Sequence, residues 1–271
     1  GGMGAVYRAI DTRLGNVVAI KQNLLESTAL AQQGTDHDEE WSDLRRAQFE
    51  REARLLASLR HHGLAKVTDY FYIDGEGQYL VMEFVEGQDF STILKQMGPL
   101  HEDQAIGFIV DVCEVLDYLH SQAPPVIHRD IKPANIRLSP RGQVVLVDFG
   151  VAKVGTSDYT TIGARAVTPG FSPLEQFGGD LRTDERSDVY SLGATLCALL
   201  TGKAPTAATE RLMDSTRKSP VEEAASSLTP ALKAVLARSL ELKPEDRYQS
   251  AREFRSALAA LLSDGMVKAS E

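Results

Sequence analysis

The order of apolar and polar positions divides the chain in two near Val85-Glu86-Gly87. Before that point, short apolar runs alternate with polar residues and turn formers. Ala5-Val6-Tyr7-Arg8-Ala9, Asn16-Val17-Val18-Ala19-Ile20-Lys21 and the stretch from Gln78 to Phe84 read as strands, since β-branched and aromatic residues gather there. Gly15-Asn16 punctuates the first two as a hairpin turn, and Asp74-Gly75-Glu76-Gly77 introduces the third. One helix interrupts them, from about Leu44 to Arg60. At 100° per residue Phe49, Ala53, Leu56 and Leu59 share one face of it.

After Gly87 the period becomes helical. Ile106, Ile109, Val110, Cys113, Leu116 and Leu119 recur at helix spacing, and helices also fit residues 186–201, 229–240 and 250–262. The most apolar run, Leu192 to Leu200, reads as a buried helix that stops at Gly202. A short strand pair lies around Ile136–Leu138 and Val144–Val147, split by Pro140-Arg141-Gly142. A strand-rich front followed by a helical back predicts an α+β protein with two lobes. The polar, acidic stretch from Leu24 to Gln48, with Asp36-His37-Asp38-Glu39-Glu40, reads as a solvated loop.

Composition narrows this picture only at its edges. The 271 residues suit one large domain or two lobes sharing a cleft. A net charge of -9 argues against nucleic acid or an anionic membrane as the main partner. No signal peptide is visible, and no apolar run approaches the ~20 residues that span a bilayer. Cys113 and Cys197 are far apart within apolar helical patterns, so they read as two buried reduced thiols of a cytoplasmic protein. The sequence leaves oligomeric state open.

The chemistry gathers at two junctions. His128-Arg129-Asp130-Ile131-Lys132-Pro133-Ala134-Asn135 is a loop between a helix and a strand. There a carboxylate (Asp130) can accept or orient a hydroxyl proton, an ammonium (Lys132) can neutralise charge on a transferred phosphate, and an amide oxygen (Asn135) can reach a metal ion. Downstream, Val145-Leu146-Val147 leads into Asp148-Phe149-Gly150, placing a second carboxylate at a strand end where it can hold magnesium. Each piece alone is a weak signal, and their joint occurrence in order is a strong one. With Val18-Ala19-Ile20-Lys21 upstream, the sequence resembles the protein-kinase family over nearly its whole length, and bacterial serine/threonine members more than animal ones.

That resemblance implies a two-lobed fold, with residues 1–85 as a small antiparallel-sheet N-lobe and 86–262 as a mainly helical C-lobe. Residues 263–271 would be a tail or the start of a linker. It implies ATP and Mg2+ (with Mn2+ as an alternative) as cofactors, and protein substrates with Ser/Thr acceptors. Lys21 would hold the α- and β-phosphates and pair with a helical glutamate. Glu52 lies within the apolar face of its helix while Glu50 points nearly opposite, so Glu52 is the expected partner. Gly1-Gly2-Met3-Gly4-Ala5-Val6 resembles the latter part of the glycine-rich phosphate loop. Its first glycine and the preceding strand are missing, which predicts weak ATP binding by the chain as written. Met82 would be the gatekeeper, the Glu83 carbonyl and Val85 N–H would face adenine, and Val6 and Ala19 would roof it. Asn135 and Asp148 would be the metal ligands.

The same resemblance makes Asp148 to Glu175 an activation segment. Arg129 beside Asp130 marks family members controlled by phosphorylation there, and Thr160 or Thr161 is the expected autophosphorylated residue. Thr168 would hydrogen-bond Asp130 and Lys132, and with Lys132 it points to serine/threonine acceptors. Asp188 would brace the catalytic loop, and Arg247 would pair with Glu175.

Three departures from the family pattern stand out. Pro173-Leu174 precedes Glu175 where Ala-Pro is usual, which predicts a local backbone change. The spacer from Lys21 to Glu52 is long and would accommodate an extra helix around Asp38–Gln48. Arg137 occupies the apolar floor beneath adenine; either its stem or guanidinium plane stacks on the base, or it turns to solvent. Two other classes remain as alternatives, a nucleotide-sensing scaffold without turnover and a small-molecule phosphotransferase of the same fold. The missing Gly-Lys-Ser/Thr sequence excludes a P-loop kinase.

Overall fold

The computed structural model describes residues 5–23, 37–73, 77–148, 167–178, 183–214, 220–223 and 228–268. The chain forms two compact units, Gly1–Val85 and Glu86–Glu271.

In the first unit β1 (Val6–Ile10) and β2 (Val17–Asn23) precede α1 (His37–Ser58), and β3 (Val67–Ile73) and β4 (Gly77–Glu83) follow it. The four strands make one antiparallel sheet in the order β1-β2-β4-β3. The β1–β2 connection is wider than a two-residue turn. Asp11 Oδ1 accepts the N–H groups of Arg13 and Leu14 at 2.8 and 3.2 Å, and Gly15 closes the loop at φ 73°. An aspartate that caps its own turn in this way substitutes for a tighter hairpin. Strand β3 was not anticipated. Only Val67 of it is buried, and its alternation is blurred by the aromatic residues Tyr70, Phe71 and Tyr72 on both faces.

Helix α1 carries a second correction. It begins at His37, so residues 37–43, expected as a loop, are helical, and the extra helix expected around Asp38–Gln48 is continuous with the one bearing Glu52. The predicted apolar face is the buried one: Phe49, Ala53 and Leu56 within the helix, and Leu59 just beyond it. Phe49 meets Tyr70 of β3 edge to face, with ring centroids 6.1 Å apart.

The second unit opens with β5 (Gln88–Asp89), which leads into α2 (Phe90–Met97) and α3 (Glu102–His120). Asp89 starts α2 by accepting the Thr92 N–H at 2.9 Å, and Gly98 ends it. β5 is the edge of a three-stranded antiparallel sheet with β6 (Ile136–Leu138) and β7 (Val144–Leu146). Then come α4 (Glu185–Thr201), α5 (Ala208–Met213), α6 (Pro220–Glu223), α7 (Pro230–Ser239) and α8 (Ala251–Lys268). Helix α8 runs past residue 262, where the periodicity had placed its end.

Helix α4 is the core of this unit, buried on every side from Ser187 to Leu200. Its small hydroxyls are satisfied within the helix, because Ser191 and Thr195 each donate to the carbonyl four residues back, at 3.1 and 2.8 Å. Leu192, Leu196 and Leu199 are fully buried, each contributing about 1.5–3 kcal/mol. Gly193 permits a close approach to α7, since a Cβ there would fall 2.2 Å from Ser239 Oγ. Gly202 ends the helix at φ 74°, donating to the Ala198 carbonyl as a left-handed cap. Both cysteines are free and buried, as their apolar surroundings predicted, and burial pushes the Cys113 thiol up.

Candidate active site

The catalytic turn is assembled around a buried carboxylate. Asp188, in the first turn of α4, is wholly buried and accepts the N–H groups of His128 and Arg129, both at 2.8 Å. His120 Nε2 donates to the same carboxylate at 2.9 Å, because a carboxylate can only accept. Burial by itself would push this carboxyl up. The hydrogen bond and charge of His120, the charge of His128 and the Arg129 N–H outweigh it and hold Asp188 below its ordinary value. The two backbone bonds also hold Arg129 at φ 65°, a left-handed conformation that costs a non-glycine residue about 1–3 kcal/mol. Gln176 supports the same turn by donating to the Arg129 carbonyl at 3.1 Å.

With the turn fixed, the side chains beyond it converge. Asp130 Oδ1 accepts from Lys132 Nζ at 2.8 Å and from Thr168 Oγ1 at 3.2 Å, and Lys132 Nζ also donates to Thr168 Oγ1 at 3.1 Å. This is the triangle expected of Thr168. Asn135 Nδ2 donates to Asp130 Oδ2 at 2.8 Å and to the Asp130 carbonyl at 2.7 Å. Both amide hydrogens are thereby spent on Asp130, which turns the Asn135 carbonyl oxygen the other way.

That oxygen bears on the expected metal. Val147 N–H donates to the backbone carbonyl oxygen of Asn135 at 2.8 Å, not to its side-chain Oδ1, so the chain reaches Asp148 directly after being tied to the Asn135 backbone. Asp148 is half-buried at φ 61°, the second non-glycine residue with positive φ among those described. An amide oxygen and a carboxylate on neighbouring segments are hard oxygen donors. They fit a divalent cation that keeps several waters, and Asn135 and Asp148 are the residues that would hold it. Such an ion supplies neutralisation of phosphate charge when bound.

The first unit holds most of the remaining expected residues. Ala19 lies opposite Met82 in the β2–β4 register, and Val6 opposite Lys21 in the β1–β2 register. Met82 is buried, Val6 is exposed and Val85 half-buried. The Glu83 N–H is engaged by the Lys66 carbonyl at 2.8 Å. The two candidate glutamates separate as their helical phase predicted. Glu52 is 9% exposed, whereas Glu50 lies on the outer side between Arg46 and Arg54, at 3.7 and 3.6 Å. Gly1, Gly2, Met3, Gly4, Thr160 and Thr161 lie outside the described residues.

Arg137 takes a partner that neither sequence alternative named. Its guanidinium donates to the Gly87 carbonyl, within the segment that enters β5. Gly87 is itself held fast at φ 106°, where a Cβ would fall 2.0 Å from the Leu138 carbonyl oxygen. The Glu175–Arg247 pair forms as expected, at 2.6 and 3.1 Å, and Glu175 sits in a 3-10 turn, Leu174–Gln176. His120 and Gln176 are the supporting residues that sequence reasoning missed. Neither belongs to a local motif, and each acts across the fold.

The comparisons with known proteins agree with this geometry. The family model for the protein kinase domain matches residues 1–258. The serine/threonine-protein kinase PknA of Mycobacterium tuberculosis is 35% identical over 269 residues, covering 96% of this chain and 59% of PknA. The chain therefore spans about three-fifths of that relative's length. Among solved structures, PpkA-294 in its apo form is 30% identical with a TM-score of 0.69, covering 95% of this chain and 92% of that one. The kinase domain of Mycobacterium tuberculosis PknI is 26% identical with a TM-score of 0.69, covering 96% and 92%. No helix among the described residues is long and apolar enough to cross a membrane. With its catalytic turn braced on Asp188 and its match running from residue 1 to 258, the chain belongs to the protein kinase family, as a catalytic domain of the bacterial serine/threonine type.

Proposed function

We propose that this domain transfers the γ-phosphate of ATP to serine and threonine hydroxyls of proteins, and that it phosphorylates its own activation segment at Thr160 or Thr161. Family membership brings ATP and a divalent metal in general. The donor set of Asn135 and Asp148 favours Mg2+, with Mn2+ as an alternative. The observation that carries the reading is the convergence of Lys132, Thr168 and Asn135 on Asp130.

In this reading Asp130 orients the acceptor hydroxyl and takes its proton as the oxygen attacks phosphorus. Lys132 balances the charge that develops on the transferred group, and Thr168 sets the spacing of the two. Lys21, partnered by Glu52, holds the α- and β-phosphates. Gly1, Gly2, Met3 and Gly4 cover them, while Val6, Ala19, Met82, Glu83, Val85 and Arg137 surround adenine. Phosphoryl transfer is governed by positioning and charge, so these roles need little else from the protein. We place the reaction in the cytoplasm, where ATP is available and buried thiols such as Cys113 and Cys197 stay reduced.

A labelled-phosphate assay on a general protein substrate tests this reading. Labelling is expected on serine or threonine and not on tyrosine, abolished when a chelator is present during the reaction and restored by excess Mg2+. Nucleotide binding without labelled protein, even after phosphorylation of the activation segment, would instead indicate a scaffold.

A further inference from the structure

The second unit has a cavity of about 250 Å³ next to the catalytic turn, with a strongly one-sided charge. Leu94 of α2, Ala134 and Phe171 supply apolar wall. Three lysines, Lys95, Lys132 and Lys203, complete it, and no carboxylate is among its lining residues. Lys132 turns its ammonium to Asp130 and Thr168. Lys95 and Lys203 are exposed and, among the described residues, neither has an ion-pair partner. Two cations with no ion-pair partner among the described residues, beside an apolar wall, form a recognition surface for an anionic side chain.

The walls are rigidly placed. Lys95 stands in the last turn of α2, whose first turn is capped by Asp89. Lys203 follows the left-handed cap Gly202, and its N–H donates to Thr201 Oγ1 at 3.3 Å. Gly170 packs so tightly on the loop beyond Lys203 that a Cβ there would fall 2.6 Å from the Pro205 carbonyl oxygen. This fixes the Thr168–Phe171 segment against the same loop. The cavity thus joins Lys132, two residues from Asp130 in the turn, to a cationic rim.

We propose that this cavity selects the protein substrate, accepting an anionic side chain (a carboxylate or a phosphorylated serine or threonine) close in sequence to the acceptor hydroxyl. The inference rests on the phosphotransfer reading above and adds the class of substrate to it. Ala134 fits the same preference, since it leaves this wall without the carboxylate that would attract a basic peptide. The polar, exposed character of the two lysines limits the effect. Exposed ion pairs of this kind are individually modest, so together they should change kcat/KM about threefold to tenfold.

The test uses purified kinase and a set of threonine peptides identical except at one position, moved along both sides of the acceptor. At each position the residue is Glu, phosphoserine, Gln or Lys. At one position, the Glu and phosphoserine peptides are expected to exceed the Gln peptide about threefold to tenfold in kcat/KM, chiefly through KM, with the Lys peptide below it. The variant Lys95→Ala/Lys203→Ala should lose this preference while keeping kcat on the Gln peptide, and Lys95→Glu/Lys203→Glu should reverse it. Equal turnover of the Glu, Gln and Lys peptides, or a preference that survives the charge reversal, overturns the inference and leaves the kinase reading standing. Failure to turn over any peptide overturns the kinase reading itself, and this inference with it.

Discussion

Arg247 and Glu175 are joined by two hydrogen bonds, 2.6 and 3.1 Å long, at a site where neither residue is more than 1% exposed. The guanidinium has all five of its N–H groups occupied, the remaining three by the carbonyls of Arg186, Leu242 and Glu241. Ser187 Oγ also donates to Glu175 Oε1 at 2.8 Å, and the Tyr190 ring lies under the cation, 5.0 Å from its centroid. Breaking such a pair leaves a buried charge without a counter-charge. Arg247→Ala and Glu175→Ala should each destabilise the fold by about 3–5 kcal/mol. Chemical denaturation of the two single variants and the double variant measures this, and the double should lose much less than the sum of the singles.

Asp188 gives the fold an acid limit. Its folded carboxyl titrates below its ordinary value of 3.8. A depressed carboxylate contributes stability that is fully present above the unfolded value and is lost as pH falls toward the folded one. Stability should therefore decline below about pH 4, and Asp188→Asn should flatten that decline while lowering stability near neutrality. Unfolding free energies measured from pH 3 to pH 7 on both proteins check the sign. An acid slope unchanged in Asp188→Asn would mean that other carboxylates set it.

Thr168 acts through its neighbours. It donates to Asp130 and accepts from Lys132, so its removal loosens two charged groups at once. Hydrogen bonds to charged groups contribute about 1.5–3 kcal/mol, which predicts a loss of roughly tenfold to a hundredfold in kcat/KM for Thr168→Val. Thr168→Ser retains the hydroxyl and should recover most of it. A Thr168→Ser variant as impaired as Thr168→Val would point to packing of the methyl group instead.

For Arg137 the measurement is nucleotide affinity. Its guanidinium fastens the Gly87 carbonyl, so substitution alters the segment that follows Val85, and with it the adenine contact proposed above. Arg137→Leu should weaken ATP binding about tenfold, the lower end of what one hydrogen bond from a charged group contributes. Calorimetric titration with ATP reads this directly. Affinity unchanged within error would remove Arg137 from the nucleotide site.

These cases show where the sequence was informative. Glu52 was separable from Glu50 because helical phase is a local property, and the apolar stripe of Phe49, Ala53 and Leu56 marked the buried side. The catalytic loop was readable because Asp130, Lys132 and Asn135 lie within one short segment. The start of α1 was not, since residues 37–43 carry charge without an apolar stripe. Helix α2 has only eight residues, and its main signals are the Asp89 cap and two buried side chains, Phe90 and Ile93. The role of His120 was out of reach for a different reason. Nothing near it in sequence announces a bond to a carboxylate 68 residues away. The same holds for Arg137, whose carbonyl partner is 50 residues upstream.

The claim that Asp130 stands at the centre of a working phosphotransfer site is most directly tested by mass spectrometry after incubation with Mg-ATP. Wild-type protein and Asp130→Asn should be treated side by side. The substitution keeps the side chain's shape and removes the proton acceptor, a change expected to slow transfer by about 10²–10⁴. The account predicts phosphate on Thr160 or Thr161 in the wild type and none in Asp130→Asn over the same interval. Equal phosphorylation of the two proteins, or none in the wild type under conditions where it binds ATP, would contradict it.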